Sequence, residues 1–476
     1  MVMGELMQDT EVLVIGGGPG GYSAAFRAAD LGMDVTLVDM SERPGGVCLF
    51  RGCIPSKTLL HLAELIHDAD RAAAMGVSFS KPKIDIGGIR TWTTSIIDRL
   101  ANGLVSLSDK RGVQRIKGRA VFENSNQVRL HDADIRRIRF QHAILATGSH
   151  PTPFPGAAPK EGDRVMTSTE ALALPDIPES LLVVGSGYVG LEIGSVYAAL
   201  GSRVTLVELA DHLLPGVDPD LVEPLRKRLD KTFAAIHTGT KITWIREHET
   251  GVGVKLEGDL KNPEQTFERV LMGIGRHPNV EGIGLEKTKI KLDKKGFVEI
   301  DEQQRTADKQ ILAVGDVAGG MMLAHKAAGE GKVAAEIIAG KASAFDVRAM
   351  PAIVYTDPQI AWCGLTEEAA RRTGRSISVQ RFPWKYSGRA LTMGAPEGVT
   401  KIIADPETRR ILGVGIVGRD TEGLIAEGVL AIEMGALVED LALIIHAHPT
   451  LSETEGEAAE IFMGTATHIL PKKKKQ

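Results

Sequence analysis

The chain has 476 residues, 43% hydrophobic and 25% charged, with a formal net charge of −5. At roughly 150 residues per domain this length predicts three or four units, and the mildly acidic balance excludes the positive field of a dedicated nucleic-acid binder. No apolar run approaches the ~20 residues of a membrane span, and three cysteines are too few for a disulfide-stapled secreted scaffold, which predicts a reducing, cytoplasmic setting.

Met1–Glu11 carries acidic residues and no basic-then-apolar order, so it reads as neither a signal nor a transit peptide. The apolar run ending at Ile15 then leads into a turn holding Gly16, Gly18 and Gly21, an Ala-rich helical stretch, and a β-rich segment ending in Asp39. The same pattern recurs where Leu181–Val184 leads into Gly185, Gly187 and Gly190, and on to a β-rich segment ending in Glu208. The separation from first glycine to acid is identical, 39 − 16 = 23 and 208 − 185 = 23. In such a fingerprint the glycines let the backbone approach a pyrophosphate at a helix N-terminus, and the acid accepts a hydrogen bond from an adenosine ribose. Two copies predict two bound dinucleotides.

Between the copies lie Cys48 and Cys53, just after the first acid. Five residues of regular helix rise ~7.5 Å, beyond the ~7 Å Cα limit for a disulfide, so a bridge here needs a distorted entry, for which Gly52 and Pro55 are suited. A thiolate near a helix N-terminus is stabilised by the helix dipole, which favours a redox pair. A zinc half-site would need further Cys or His ligands that are not evident nearby, and no metal is expected. Cys363, alone in an apolar segment, is expected to pack in a core.

The Pro-rich stretch His150–Gly156 follows an apolar run and predicts a domain crossover, and Gly273–Pro278 looks like a second exit. Gln310–Asp316 is expected to be a strand ending on an acid at a turn, and from about Ala349 strands and helices without dinucleotide glycines predict a separate domain. Near the end, His446, His448, Pro449 and Glu453 fall in one short segment. A carboxylate that orients one imidazole nitrogen leaves the other free to exchange a proton, as dithiol oxidation requires, although on spacing alone a structural histidine before a helix reads equally well. The Lys472–Lys475 run is expected to be a solvated tail.

Across nearly its whole length the chain resembles the flavoprotein disulfide reductases, most closely the dihydrolipoamide dehydrogenase branch. The resemblance is carried by Gly16–Gly21, Cys48–Lys57, Ala146–Gly148, Gly185–Glu208, Gly315–Asp316, Met322–Lys326, Tyr355–Pro358 and His446–Glu453. It implies an α/β fold with two Rossmann-like domains and an α+β dimerisation domain: an FAD domain over 1–150, an NAD domain over 151–272, a central domain over 273–348 and an interface domain over 349–476. It assigns FAD contacts to Gly16, Gly18, Gly21, Asp39, Lys57, Gly118, Thr147, Gly148, Asp316 and Ala324. It assigns NAD contacts to Gly185, Gly187, Tyr188, Gly190, Glu192, Glu208 and Gly275. Lys57 would pair with Glu192 beside the flavin, Asp316 would hold the ribityl chain, and Tyr188 would be an aromatic lid over the nicotinamide site.

Catalysis would use a Cys48–Cys53 disulfide, Cys48 exchanging with substrate and Cys53 facing the flavin, with His448 and Glu453 serving the cysteines of the other subunit of a homodimer. The implied reaction is NAD-dependent oxidation of protein-bound dihydrolipoamide. Glu208, with no arginine clamp after it, favours NAD over NADP. The lipoyl group would come on another protein, such as a subunit of a bacterial 2-oxoacid dehydrogenase complex. Alternatives are an NAD(P)H-dependent reductase of another disulfide, or a mainly scaffolding subunit of a lipoyl-dependent assembly. The chain departs from the usual Gly-Gly-Thr-Cys-Leu-Asn-Val-Gly-Cys pattern at Val47, Phe50 and Arg51, and these differences are expected to alter the flavin potential or the preferred carrier.

Overall fold

A computed structural model describes residues 7–152 and 164–470. The first six residues, the Pro-rich stretch beyond Thr152 and the terminal lysines lie outside these. The Met7–Ile15 strand sits inside a seven-stranded sheet, parallel to Val35–Asp39 on one side and Arg137–Leu145 on the other. Val12, Leu13 and Val14 are fully buried, as expected of a parallel strand covered on both faces, where both sets of alternating side chains must be apolar. One cover is the helix Pro19–Asp30, which packs against the helix Ala324–Ile338. Gly331 makes this possible, because a Cβ there would stand 2.3 Å from the Gly20 carbonyl oxygen.

A finding that chain order conceals is where Ile311–Ala313 goes. This strand pairs in parallel with Arg137–Leu145 and so belongs to the first sheet, and the short helical turn Gly315–Ala318 follows it. Asp316 thereby arrives beside a glycine turn some 300 residues earlier in the chain.

The second sheet is all parallel, in the order 235–237, 203–207, 180–184, 269–272 and 165–166. A three-stranded antiparallel layer, 241–267, buries Val252, Val254 and Leu256 against it. The two anticipated exits meet: Ser149–Pro151 pairs antiparallel with Arg276–Pro278 in a small ribbon between the first two sheets. The third sheet is antiparallel, with Ala352–Val354, Gln359–Gly364, Ile411–Gly418, Val399–Ala404 and Ser378–Pro383 in that order. Cys363 is buried in its core, and burial raises its thiol pKa to about 12, which leaves it inert. No described helix is long and apolar enough to cross a membrane.

Candidate active site

The two glycine turns repeat each other in atomic detail. A Cβ on Gly21 would fall 1.7 Å from the Gly16 carbonyl oxygen, and one on Gly190 would fall 2.2 Å from that of Gly185. Only glycine lets each helix start so close to its strand. The acids close the turns in the same way: Asp39 accepts from the Gly17 amide at 2.6 Å, and Glu208 accepts from the Ser186 amide at 2.6 Å and its hydroxyl at 2.7 Å.

From the first turn a cleft of about 470 Å³ runs to the cysteines. Its walls include Gly16, Gly18, Asp39, Thr147, Gly148, Asp316, Ala324, Cys48, Cys53 and Lys57. The N-terminus of the helix starting at Pro19 borders the cleft, where a diphosphate would be stabilised. A long dinucleotide with an anionic centre fits this channel. Gly118 stands behind it, its amide bonded to the Asp39 carbonyl at 2.8 Å. Of the second set, Tyr188 and Glu192 reach the cleft, whereas Gly185, Gly187, Gly190, Glu208 and Gly275 are not among its walls. Gly275 lies beside the ribbon, its carbonyl accepting from the Thr152 amide.

The cysteines sit on either side of a helix break. Gly46–Arg51 ends at Gly52, whose backbone (φ −144°, ψ −108°) interrupts the helix, and Cys53 opens the long helix Cys53–Ala72. The two sulfurs are not covalently bonded to each other, and both cysteines are partly buried. They are hydrogen-bonded to each other, which holds Cys53 down to about 7 and pushes Cys48 far above the usual thiol range. Lys57 also lowers Cys53, while burial opposes it. The pair therefore favours keeping its proton on Cys48 over Cys53.

Lys57 is fixed in turn. Its ammonium meets Glu192 at 2.8 Å and lies 4.3 Å from the Tyr355 ring centroid. Glu192, only 2% exposed, also accepts from the Ser56 hydroxyl and the Tyr355 amide, so its buried charge is fully paired.

The histidine segment lies elsewhere. His448 Nδ1 meets Glu453 at 2.8 Å, and the other Glu453 oxygen accepts from the Thr450 amide at 2.7 Å. Although partial burial opposes it, these contacts hold the Glu453 carboxyl below its ordinary range. His448 leaves 75% of its side chain exposed and is not part of the cleft wall. Just before it, Leu443, Ile444 and Ile445 are exposed, Ile445 to 96%. An imidazole oriented by a carboxylate and an uncovered apolar surface thus stand side by side, outside the lining of the cleft that holds this chain's own cysteines.

Sequence reasoning missed Ser149, Arg276 and Asn279, which line the cleft from the ribbon. The signal was close by, since Arg276 follows Gly275 directly, but the ribbon pairing that aims it inward joins segments 127 residues apart. Of the departures beside the cysteines, Phe50 is held under the guanidinium of Arg43, itself paired with Asp98 at 2.8 Å, and Arg51 is exposed at the cleft edge.

Residues 10–331 match the model of the pyridine nucleotide-disulphide oxidoreductases, and residues 350–459 match that family's dimerisation domain. The chain belongs to the pyridine nucleotide-disulphide oxidoreductase family. It is a flavoprotein disulfide oxidoreductase, and the cofactors of this family are FAD and NAD(H). The chain is 43% identical to the dihydrolipoyl dehydrogenase of Haemophilus influenzae, with 98% of each chain aligned. It is 41% identical to that of Geobacillus stearothermophilus, covering 99% of this chain and all of the relative. Among solved structures of the family it superposes on LpdA of Mycobacterium tuberculosis with a TM-score of 0.87 at 27% identity, covering 95% of this chain and all of that one.

Proposed function

We propose that the protein oxidises dihydrolipoyl groups to lipoyl groups with NAD as final acceptor, working as a homodimer whose active sites each draw on both subunits. The observation that carries this reading is the Cys48–Cys53 pair set across a helix break in the wall of a dinucleotide-sized cleft, with Lys57 beside it. Glycines 16, 18 and 21, Asp39, Thr147, Gly148, Asp316 and Ala324 would hold FAD, with Lys57 beside its ring and Gly118 supporting Asp39. Gly185, Gly187, Gly190 and Glu208 would hold NAD, with Tyr188 between the two cofactors and Gly275 at the crossover. When bound, FAD would supply an acceptor for the electron pair of the dithiol beside Cys53, and NAD at the second glycine turn would supply the final acceptor.

The chain's own residues account for the thiol steps. In the oxidised enzyme Cys48 and Cys53 form a disulfide. A substrate thiol, its proton taken by the partner subunit's His448, bonds to the Cys48 sulfur while the bond to Cys53 breaks and Cys53 leaves as a thiolate. The second substrate thiol loses its proton and displaces Cys48, which is protonated. The product is the reduced dithiol, and the helix N-terminus and Lys57 favour its Cys53 anion.

Two further features support the dimer. The dimerisation-domain match covers the segment bearing the exposed Leu443–Ile445 surface, and the paired His448 and Glu453 are not among the residues lining this chain's cysteine-bearing cleft. The lipoyl carrier is a separate protein, such as the acyltransferase subunit of a 2-oxoacid dehydrogenase complex, in a reducing cytoplasm. The test is turnover of the flavin-loaded protein with dihydrolipoamide, using NADP and reduced glutathione as comparison reactants. Rapid turnover confined to dihydrolipoamide and NAD is expected; equal rates with NADP or with glutathione would place the protein in another branch of the family.

A further inference from the structure

Asp316 reaches the cleft through a strand added late in the chain, and a single residue from another segment orients it. The Ser149 hydroxyl donates to Asp316 Oδ2 at 2.5 Å and accepts from Arg276 Nε at 2.7 Å, while Arg276 Nη2 also donates to the Ser149 carbonyl at 2.7 Å. A hydroxyl has one proton to give. Because the guanidinium occupies one of its lone pairs, that proton is directed onto the carboxylate, and the charges at both ends strengthen the two bonds together. Ser149 is buried and its backbone is locked opposite Pro278 in the two-stranded ribbon, so its position does not depend on the hydroxyl. Arg276 shares the cleft wall with Tyr188.

We propose that Ser149 and Arg276 are positioning residues that set the rotamer of Asp316, and through it the seat of the flavin, from the nicotinamide side of the cleft. This rests on the reading of Asp316 as the carboxylate that holds FAD. The ribbon between the two nucleotide-binding sheets is then more than a covalent crossover. It carries a charge-assisted chain, guanidinium to hydroxyl to carboxylate, from the nicotinamide side to the flavin side.

The test uses the flavin-loaded dimer with Ser149→Ala, Arg276→Gln, Arg276→Lys, the Ser149→Ala/Arg276→Gln double variant, and Asp316→Ala as reference. The readouts are the FAD dissociation constant and the visible flavin spectrum. Ser149→Ala and Arg276→Gln should each weaken FAD binding about tenfold, the scale of a hydrogen bond to a charged group, and shift the spectrum in the same direction. The double variant should be no worse than the more severe single, because the two act in series, and Arg276→Lys should recover part of the loss. Losses that multiply in the double variant, or singles that lower only the melting temperature, would overturn the relay. If Asp316→Ala weakens FAD while the other variants do not, the relay alone is wrong; if Asp316→Ala has no effect, the reading of Asp316 is wrong as well.

Discussion

At the scale of single residues the chemistry turns on which sulfur keeps its proton. Their mutual hydrogen bond and Lys57 lower Cys53 to about 7, so the thiolate is present above that pH and is lost as pH falls through it. The long-wavelength absorbance of a thiolate facing flavin in the reduced enzyme should follow this titration. It should vanish in Cys53→Ser and persist in Cys48→Ser, and Lys57→Met should move the midpoint upward; a band that survives in Cys53→Ser would reverse the two roles. The cysteines, the glycine turns and the acids were legible in sequence because each acts through local backbone geometry. Ser149 and Arg276 were not, because their importance arises only from a ribbon pairing. Glu455 was equally invisible, although it adjoins the His448–Glu453 segment. It is 0% exposed, both its oxygens are without partners among the described residues, and burial together with the charge of Glu427 raises its pKa well above the ordinary value. The folded protein holds this carboxyl neutral while the unfolded chain ionises it near pH 4.5, so stability is full below that pH and declines as pH rises toward the folded-state pKa. Glu455→Gln should therefore gain about 1–3 kcal/mol over the parent at pH 8 and nothing near pH 4, read as melting temperature against pH. A parent and variant with parallel curves would show that Glu455 is not protonated in the fold.

At the scale of elements, the two glycine turns are the same device used twice, which allows them to be separated. Gly190→Ala would force a methyl to 2.2 Å from the Gly185 oxygen, and Gly21→Ala to 1.7 Å from the Gly16 oxygen. Gly190→Ala should leave the protein yellow while raising KM for NAD at least about tenfold, since backbone strain of a few kcal/mol at the turn is enough. Gly21→Ala should yield protein without flavin. Equal loss of flavin in both variants would contradict the assignment of one dinucleotide to each turn. The strand–turn–helix order of both units could be read from hydrophobic runs and glycines, and so could the change of pattern near Ala349. What could not be read is that Ile311–Ala313 returns to the first sheet, because a three-residue apolar strand carries no signal of its partner. The break at Gly52 was anticipated from the reach of a disulfide, and the helix does stop there.

At the scale of the whole molecule, one subunit is proposed to supply the cofactor cleft and the dithiol, and its partner the base. The cleft is lined by this chain's cysteines, whereas the His448–Glu453 pair is not in its lining and stands beside the exposed Leu443–Ile445 surface. Placing a charge in that surface, as in Ile445→Glu, should yield a flavin-containing monomer with under about 1% of parental turnover, because a buried unpaired charge strongly disfavours association; an active monomer by sedimentation would refute the shared site. The most direct measurement is NADH formation from dihydrolipoamide by Cys48→Ser and His448→Gln variants, each alone and after co-expression. Each variant alone should be nearly inactive. In the mixture, random pairing gives about half heterodimers, each with one intact and one doubly altered site, so about a quarter of parental activity should return. No recovery in the mixed, flavin-loaded dimers would show that Cys48 and His448 act within one chain or not at all in this reaction, and would contradict the account.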